Sequence, residues 1–275
     1  MGLKTNRRKR ALLLFAGAAL LLAGIGLAGC FCHDPAGVTD FSRKNLTPCL
    51  EYPFGTDWMG RNMLARTLAG LSLSLRIGLL TAGISAFLAL ALGTAAAVGG
   101  KRADACIGFL IDTLMGIPHI LLLLLISCAC GKGMRGVVVG VSLTHWPSLA
   151  RLIRGEVLQL KESEFVQTAA RLGMGKFAIA VRHLLPHLLP QFIVGLVLMF
   201  PHAVLHEASI TFLGFGLPNE EPAIGVILSE SMRYLITGSW WLALFPGLAL
   251  VLVVMLFYAA GNALEKLLAP ASAQE

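Results

Sequence analysis

Residues 77–100 read IGLLTAGISAFLALALGTAAAVGG, 24 positions without one charged side chain. A helix rises about 1.5 Å per residue, so the stretch covers about 36 Å and exceeds the roughly 30 Å hydrocarbon core of a bilayer. Helix is the conformation such a run must take in lipid, because an exposed backbone there has to satisfy its own hydrogen bonds. Working outward, residues 11–29 are uncharged for 19 positions and residues 235–262 for 28. Residues 105–131 form a further apolar run interrupted by Asp112 and His119, and residues 184–205 another that continues through His206 and Glu207. The shortest run, residues 136–150, is 15 positions long and carries His145-Trp146-Pro147 near its end. These six segments predict an all-α integral membrane protein with six transmembrane helices. Composition agrees: of the 275 residues 56% are apolar and 13% charged, against about 25% charged in soluble domains.

Orientation follows from lysine and arginine. With the amino terminus inside, 14 of the 22 fall in inner segments, beginning with Arg7-Arg8-Lys9-Arg10, which is the bias expected of cytoplasmic loops. The chain then divides into a cytoplasmic amino terminus (1–10), a first transmembrane helix (11–29), an outer loop (30–75), a five-helix core (76–262) and a cytoplasmic tail (263–275). Within the core, residues 151–183 form a charged inner loop and residues 215–234 a second outer loop. Trp240 and Trp241 fall at the outer interface and Tyr258 near the inner one, as aromatic belts do. The net charge of +7 is spread between spans and forms no stripe of the kind that binds nucleic acid. Leu27-Ala28-Gly29-Cys30 after a basic flank also has the layout of a lipoprotein signal, but the five spans that follow favour a retained helix. Cys49 faces the same side as Cys30 and Cys32 in this topology, so a disulfide with either is open, as are unpaired thiols.

Catalytic motifs are mostly excluded. Gly100-Lys101 lacks the first glycine and the hydroxyl of a phosphate loop, with Ala95 and Arg102 in those places. The chain therefore does not bind ATP itself. His206-Glu207-Ala208-Ser209-Ile210 lacks the second histidine of a zinc-protease helix, and no Ser/His/Asp set can be assembled.

Three stretches carry a family resemblance. Tyr52-Pro53-Phe54-Gly55-Thr56-Asp57, with Gly60-Arg61, Gly70 and Ser74-Leu75, resembles the signature before the second helix in permease subunits of peptide/nickel ABC importers. Glu164 leads into Phe165-Val166-Gln167-Thr168-Ala169-Ala170-Arg171-Leu172-Gly173, which is similar to the EAA loop by which such permeases contact their ATPase. Gln167 stands where that loop usually opens with glutamate, and Thr168 where alanine is common. Thr211-Phe212-Leu213-Gly214-Phe215-Gly216-Leu217-Pro218, followed by Pro222-Ala223-Ile224-Gly225, resembles the stretch after the fifth helix of the same family. The resemblance implies a type I ABC importer permease of the bacterial inner membrane, multi-pass and non-catalytic. It further implies a cytoplasmic coupling helix made by Glu164, Phe165, Val166, Gln167, Thr168, Ala169, Ala170 and Gly173. The implied partners are a second homologous permease, two P-loop ATPases that bind the ATP and Mg, an extracytoplasmic substrate-binding protein and membrane lipid, with no nucleic acid and no cofactor in this chain.

The fifth span carries the cargo clue. His202 and His206 are four apart and share a helix face, with Glu207 beside them. Ionisable groups inside a span are costly and usually face a cavity, and imidazole and carboxylate are ligands for nickel, cobalt or zinc. His202, His206 and Glu207 are therefore candidate metal or cargo-path residues, favouring nickel, cobalt or a metal chelate over a di- or oligopeptide. The alternative is hydrogen bonding between helices. Asp112 joins the path as a weaker candidate: it lies seven before His119, but Pro118 between them can kink the helix and misalign the pair. Two other classes stay open, a membrane-embedded metalloenzyme using His202, His206 and Glu207, and a secondary transporter, for which no inverted repeat is visible.

Overall fold

The computed structural model describes residues 7–268 and is helical throughout, with Thr56 and Asn62 forming a lone antiparallel bridge. The outermost parts of the expected cytoplasmic termini, residues 1–6 and 269–275, lie outside the described residues. Helix α1 is Arg7–Phe31, followed by the short α2, His33–Gly37, and a single 3-10 turn at Phe41–Arg43. Helix α3 spans Met63–Val98, α4 Lys101–Gly116, α5 His119–Ala129 and α6 Met134–Lys161. Then come α7, Glu164–Arg171, and α8, Lys176–Ile179, which runs through a π turn at Ala180–Leu184 into α9, Leu185–Phe212. Helices α10, Ile224–Leu235, and α11, Trp241–Leu268, complete the chain.

Four helical stretches, Arg8–Phe31, Met63–Val98, Phe177–Phe212 and Trp241–Leu268, are each long and apolar enough to cross a membrane. Helices α4 and α5 together make a fifth candidate, but they meet at 100°. The span expected over residues 105–131, with Pro118 able to kink it, is a broken one. Pro118 has no N–H to continue the ladder and disfavours helix at Ile117, whose φ of −88° and ψ of 136° are extended.

Helix α3 starts fourteen residues before the uncharged run that announced it. Asn62 caps it by accepting from the Leu64 and Ala65 amides at 2.9 and 3.3 Å, which satisfies two of the four orphan donors of a helix start. Its small residues Ala82, Ala86, Ala89 and Gly93 are buried and admit α6 closely. A Cβ at Gly93 would stand 2.7 Å from the Ala150 carbonyl oxygen. Close approach through small residues is how helices pack where water supplies no driving force between them. The Ser85 hydroxyl donates to the Ser142 carbonyl at 3.0 Å across the same contact.

Two boundaries move. The charged segment expected as an inner loop from residue 151 remains helical to Lys161, and along it Arg151 pairs with Asp112 and Arg154 grips Asp104 with two hydrogen bonds of 2.5 and 2.7 Å. The stretch 215–234, expected as a loop, holds α10, whose Ile224, Val226 and Ile227 are buried. Trp241 does not sit in an interfacial belt: it is 6% exposed beneath the loop before α3, with its indole N–H 3.5 Å from the Thr56 carbonyl oxygen. Trp240 is half exposed. The cysteines are all free; Cys30 lies against Ser72 and Arg76.

The loop before α3 is held by buried charge. The Asp57 carboxylate accepts from the Met59 and Arg61 amides at 2.9 Å each, and pairs with the Arg61 and Arg66 guanidiniums at 2.7 Å each. Arg66 also reaches Glu230 of α10 at 3.1 Å. Gly60 permits the fold, since its φ is +75° and a Cβ there would fall 1.8 Å from the Asp40 carbonyl oxygen. Thus the first family-like stretch, Gly55 to Arg61, forms the knot that ties loop, α3 and α10 together.

Candidate functional site: a histidine-lined cavity and an exposed short helix

The break between α4 and α5, the middle of α6 and the middle of α9 enclose a cavity of about 810 Å³. Apolar side chains, among them Leu114, Ile117, Leu149 and Met199, make most of its wall. His119, His145, His202 and His206 project into it, four of the seven histidines of the chain. An apolar pocket with a few convergent polar groups is the usual form of a small-molecule site.

Each histidine is placed by a local rule. Pro118 ends the broken stretch and sets His119 as the first residue of α5. His145 lies one turn after Val141, and its Nδ1–H donates to the Val141 carbonyl at 2.9 Å. His206 lies one turn after His202 and donates Nδ1–H to the His202 carbonyl at 2.7 Å. A carbonyl can only accept, so both imidazoles carry the proton on Nδ1 and present Nε2 as the lone-pair nitrogen. The His145 Nε2 stands 3.3 Å from His206 Nδ1. The three rings of His119, His145 and His206 meet edge to face with centroids 4.4 to 4.9 Å apart.

Of the four path residues expected from sequence, two reach the cavity. His206 is in the cluster, and His202 lines the wall with Nε2 at 3.1 Å from the Tyr258 hydroxyl. Glu207 points the other way: it is fully buried between α9 and α3 and accepts from the Ser74 hydroxyl at 2.6 Å and the Thr211 hydroxyl at 3.0 Å. One residue's turn, about 100° on a helix, separates it from His206. His202, His206 and Glu207 therefore do not converge on one point. Asp112 is exposed and paired with Arg151, and the bend at Pro118 removes it from the face of His119. Spacing alone missed His119 and His145 as partners of His206, because they lie 87 and 61 positions away.

A second feature stands apart from the cavity. Helix α7 buries Val166 and Ala169, three apart on one face, against the body of the protein. Glu164, Phe165, Gln167, Thr168 and Ala170 face outward. The Gln167 amide N–H donates to the Glu162 carbonyl at 3.1 Å, and Phe165 stacks on His187 with centroids 4.9 Å apart. Gly173 ends the helix in the left-handed region at φ +83°, with its N–H on the Ala170 carbonyl at 3.0 Å, as helix C-termini commonly do. Exposed Phe165, Leu172 and Phe177 cluster in sequence around this end.

Comparison with known proteins places the chain in a family. The family model described as binding-protein-dependent transport system inner membrane component matches residues 87–273. The dipeptide transport system permease protein DppC of Bacillus subtilis is 31% identical over 268 residues, covering 96% of this chain and 84% of that protein. A putative peptide transport system permease protein of Brucella suis is 36% identical over 251 residues, covering 91% and 84%. Among solved structures, an inward-facing form of the MetNI methionine ABC transporter superposes with a TM-score of 0.64 at 17% identity, covering 75% of this chain and 98% of that one, a likeness of fold. With the family match spanning more than half of the chain and relatives above 30% identity along nearly all of it, the protein belongs to the inner membrane permeases of binding-protein-dependent transport systems.

Proposed function

We propose that the chain is one half of the translocation pathway of an ATP-driven importer whose cargo belongs to the peptide class. The observation that carries the cargo reading is the similarity, over 91 to 96% of the chain, to permeases named for dipeptide or peptide transport. As a member of its family the chain is a non-catalytic transport component. A half-pathway calls for a second, similar permease, and ATP and Mg belong to two partner ATPases; an extracytoplasmic binding protein delivers cargo to the side of the Asp57 knot. In this reading six crossings, with α4 and α5 as one broken crossing and α6 as another, leave the amino terminus and the 263–275 tail in the cytoplasm. Helix α7, from Glu164 to Gly173, is then the coupling element: one face is packed on the body while Phe165, Gln167 and Thr168 are offered to an ATPase cleft. A short rigid helix can pass rigid-body motion to the spans attached at both of its ends.

A nickel, cobalt or metal-chelate cargo is the second reading, favoured by the four imidazoles on the cavity wall. Uptake of a labelled dipeptide and cellular nickel and cobalt content, compared in a strain lacking the gene and in the complemented strain, separate the two. Dipeptide uptake that depends on the chain, with metal content unchanged, is the expected result. Metal content that depends on the chain, with dipeptide uptake unchanged, overturns the peptide reading in favour of the metal one.

A further inference from the structure

Among the described residues, His119, His145 and His206 form the group able to hold a metal ion: one nitrogen from each lies within 4.8 Å of the others. They come from three separate elements, α5, α6 and α9, so no local repeat produces the cluster. The His119 Nε2 is buried and has no hydrogen-bond partner. A buried polar nitrogen left unpaired costs about 1–3 kcal/mol, and native structures rarely leave one without a reason. The other two rings have their Nδ1–H groups tied to the Val141 and His202 carbonyls. This is the outer-shell arrangement that fixes the tautomer and aims the lone pair of metal-ligating histidines.

We propose that these three imidazoles bind one divalent first-row transition-metal ion of the zinc, cobalt or nickel class at the wall of the cavity. The ligands are Nε2 of His119, the atom that now lacks a partner, and the Nε2 lone pairs of His145 and His206. Three imidazoles with a fourth position open to the cavity is a set that zinc accepts, and neutral imidazole also suits nickel. Around an ion at 2.0–2.1 Å the nitrogens stand about 3.3 Å apart, so a set whose nitrogens lie within 4.8 Å of one another needs only small ring movements to close on it. Glu207 takes no part, since Ser74 and Thr211 hold it on the opposite face of α9. His202 lies on the same wall but is engaged with Tyr258. The bound ion ties the half-helix α5 to α6 and α9.

The site goes beyond the transport reading and is tested apart from it, on the full chain in lipid nanodiscs, purified without a histidine tag. Cobalt(II) is titrated and followed by visible absorption and calorimetry, with zinc(II) as competitor. One cobalt per chain with imidazole-type absorption is expected, lost in His119→Ala and His145→Ala and kept in His202→Ala. Because His119 Nε2 makes no hydrogen bond, His119→Ala removes none, and its metal-free thermal unfolding should match wild type. His119→Cys should retain binding and add thiolate-to-cobalt charge-transfer absorption, a signal that a misfolded variant cannot give. Absence of stoichiometric cobalt binding in wild type, or binding unchanged in both His119→Ala and His145→Ala, overturns the proposal. Dipeptide uptake is a separate readout, so failure of either reading leaves the other standing.

Discussion

Removing the Asp57 carboxylate should loosen the loop before α3 from both α3 and α10. In Asp57→Ala, Arg66 loses its 2.7 Å partner while its side chain is 3% exposed, and is left with Glu230 at 3.1 Å, itself 24% exposed. Arg61 loses its 2.7 Å partner, and the Met59 and Arg61 amides lose their acceptor. Breaking a buried ion pair from one side costs about 3–5 kcal/mol, because the remaining charge stays in a poorly solvated place. The two amides add about 1 kcal/mol each where water does not replace the acceptor. Retention of Glu230 and partial access for Arg61 offset part of this, so a loss of about 3–5 kcal/mol is expected. Asp57→Asn keeps an oxygen for the amides and should fall between this and wild type. Asp112→Asn, at an exposed pair, is the control and should barely register. Thermal unfolding in lipid nanodiscs, followed by helical circular dichroism, reads all three. An Asp57→Ala midpoint equal to that of Asp112→Asn would refute the claim that buried charge holds the loop to α3 and α10.

Other outcomes follow from close contacts. Gly70→Ala puts a Cβ 2.4 Å from the Pro222 carbonyl oxygen and should cost about 1–3 kcal/mol by forcing α3 from the 218–223 turn; the same unfolding assay checks it, and an unchanged midpoint counts against that contact. Glu207→Ala strands the Ser74 and Thr211 hydroxyls and should cost about 1–3 kcal/mol per stranded group, with Glu207→Gln milder because it keeps an acceptor. Neither should alter cobalt binding by the histidines. Gly173→Val puts a β-branched residue at φ +83°, a strain of about 1–2 kcal/mol, and should lower transport per ATP hydrolysed in the reconstituted importer; an unchanged ratio sinks the coupling role of α7.

The long uncharged runs 11–29 and 235–262 were legible because nothing but lipid or packed apolar surface suits them, and α1 and α11 fall over them. The start of α3 was not, since Arg66 and Arg76 cut the run. What admits Arg66 to a helix interior is Asp57 nearby and Glu230, 164 positions away, and no window of sequence contains both. The kink at Pro118 and the helix ended by Gly173 were readable from local backbone rules. The partnership of His119, His145 and His206 was not. Helical spacing pairs residues within one turn, so it found His202 with His206 and missed contacts between elements. The same rule drew Glu207 into the site, although a neighbour in sequence points about 100° away.

Helices α6 and α9 are also lever arms with nearby fulcrums. Two residues separate α6 from α7, and four separate α7 from the continuous α8–α9 rod. His145 lies 16 residues before Lys161, about 24 Å along its helix, and His206 lies 30 beyond Lys176, about 45 Å along the rod. A tilt of about 5° at the α7 end therefore swings the two imidazoles by about 2 and 4 Å. That travel is comparable to the gap their nitrogens must close around an ion, so a displacement too small to see at the base decides at the far end whether three rings grip or let go.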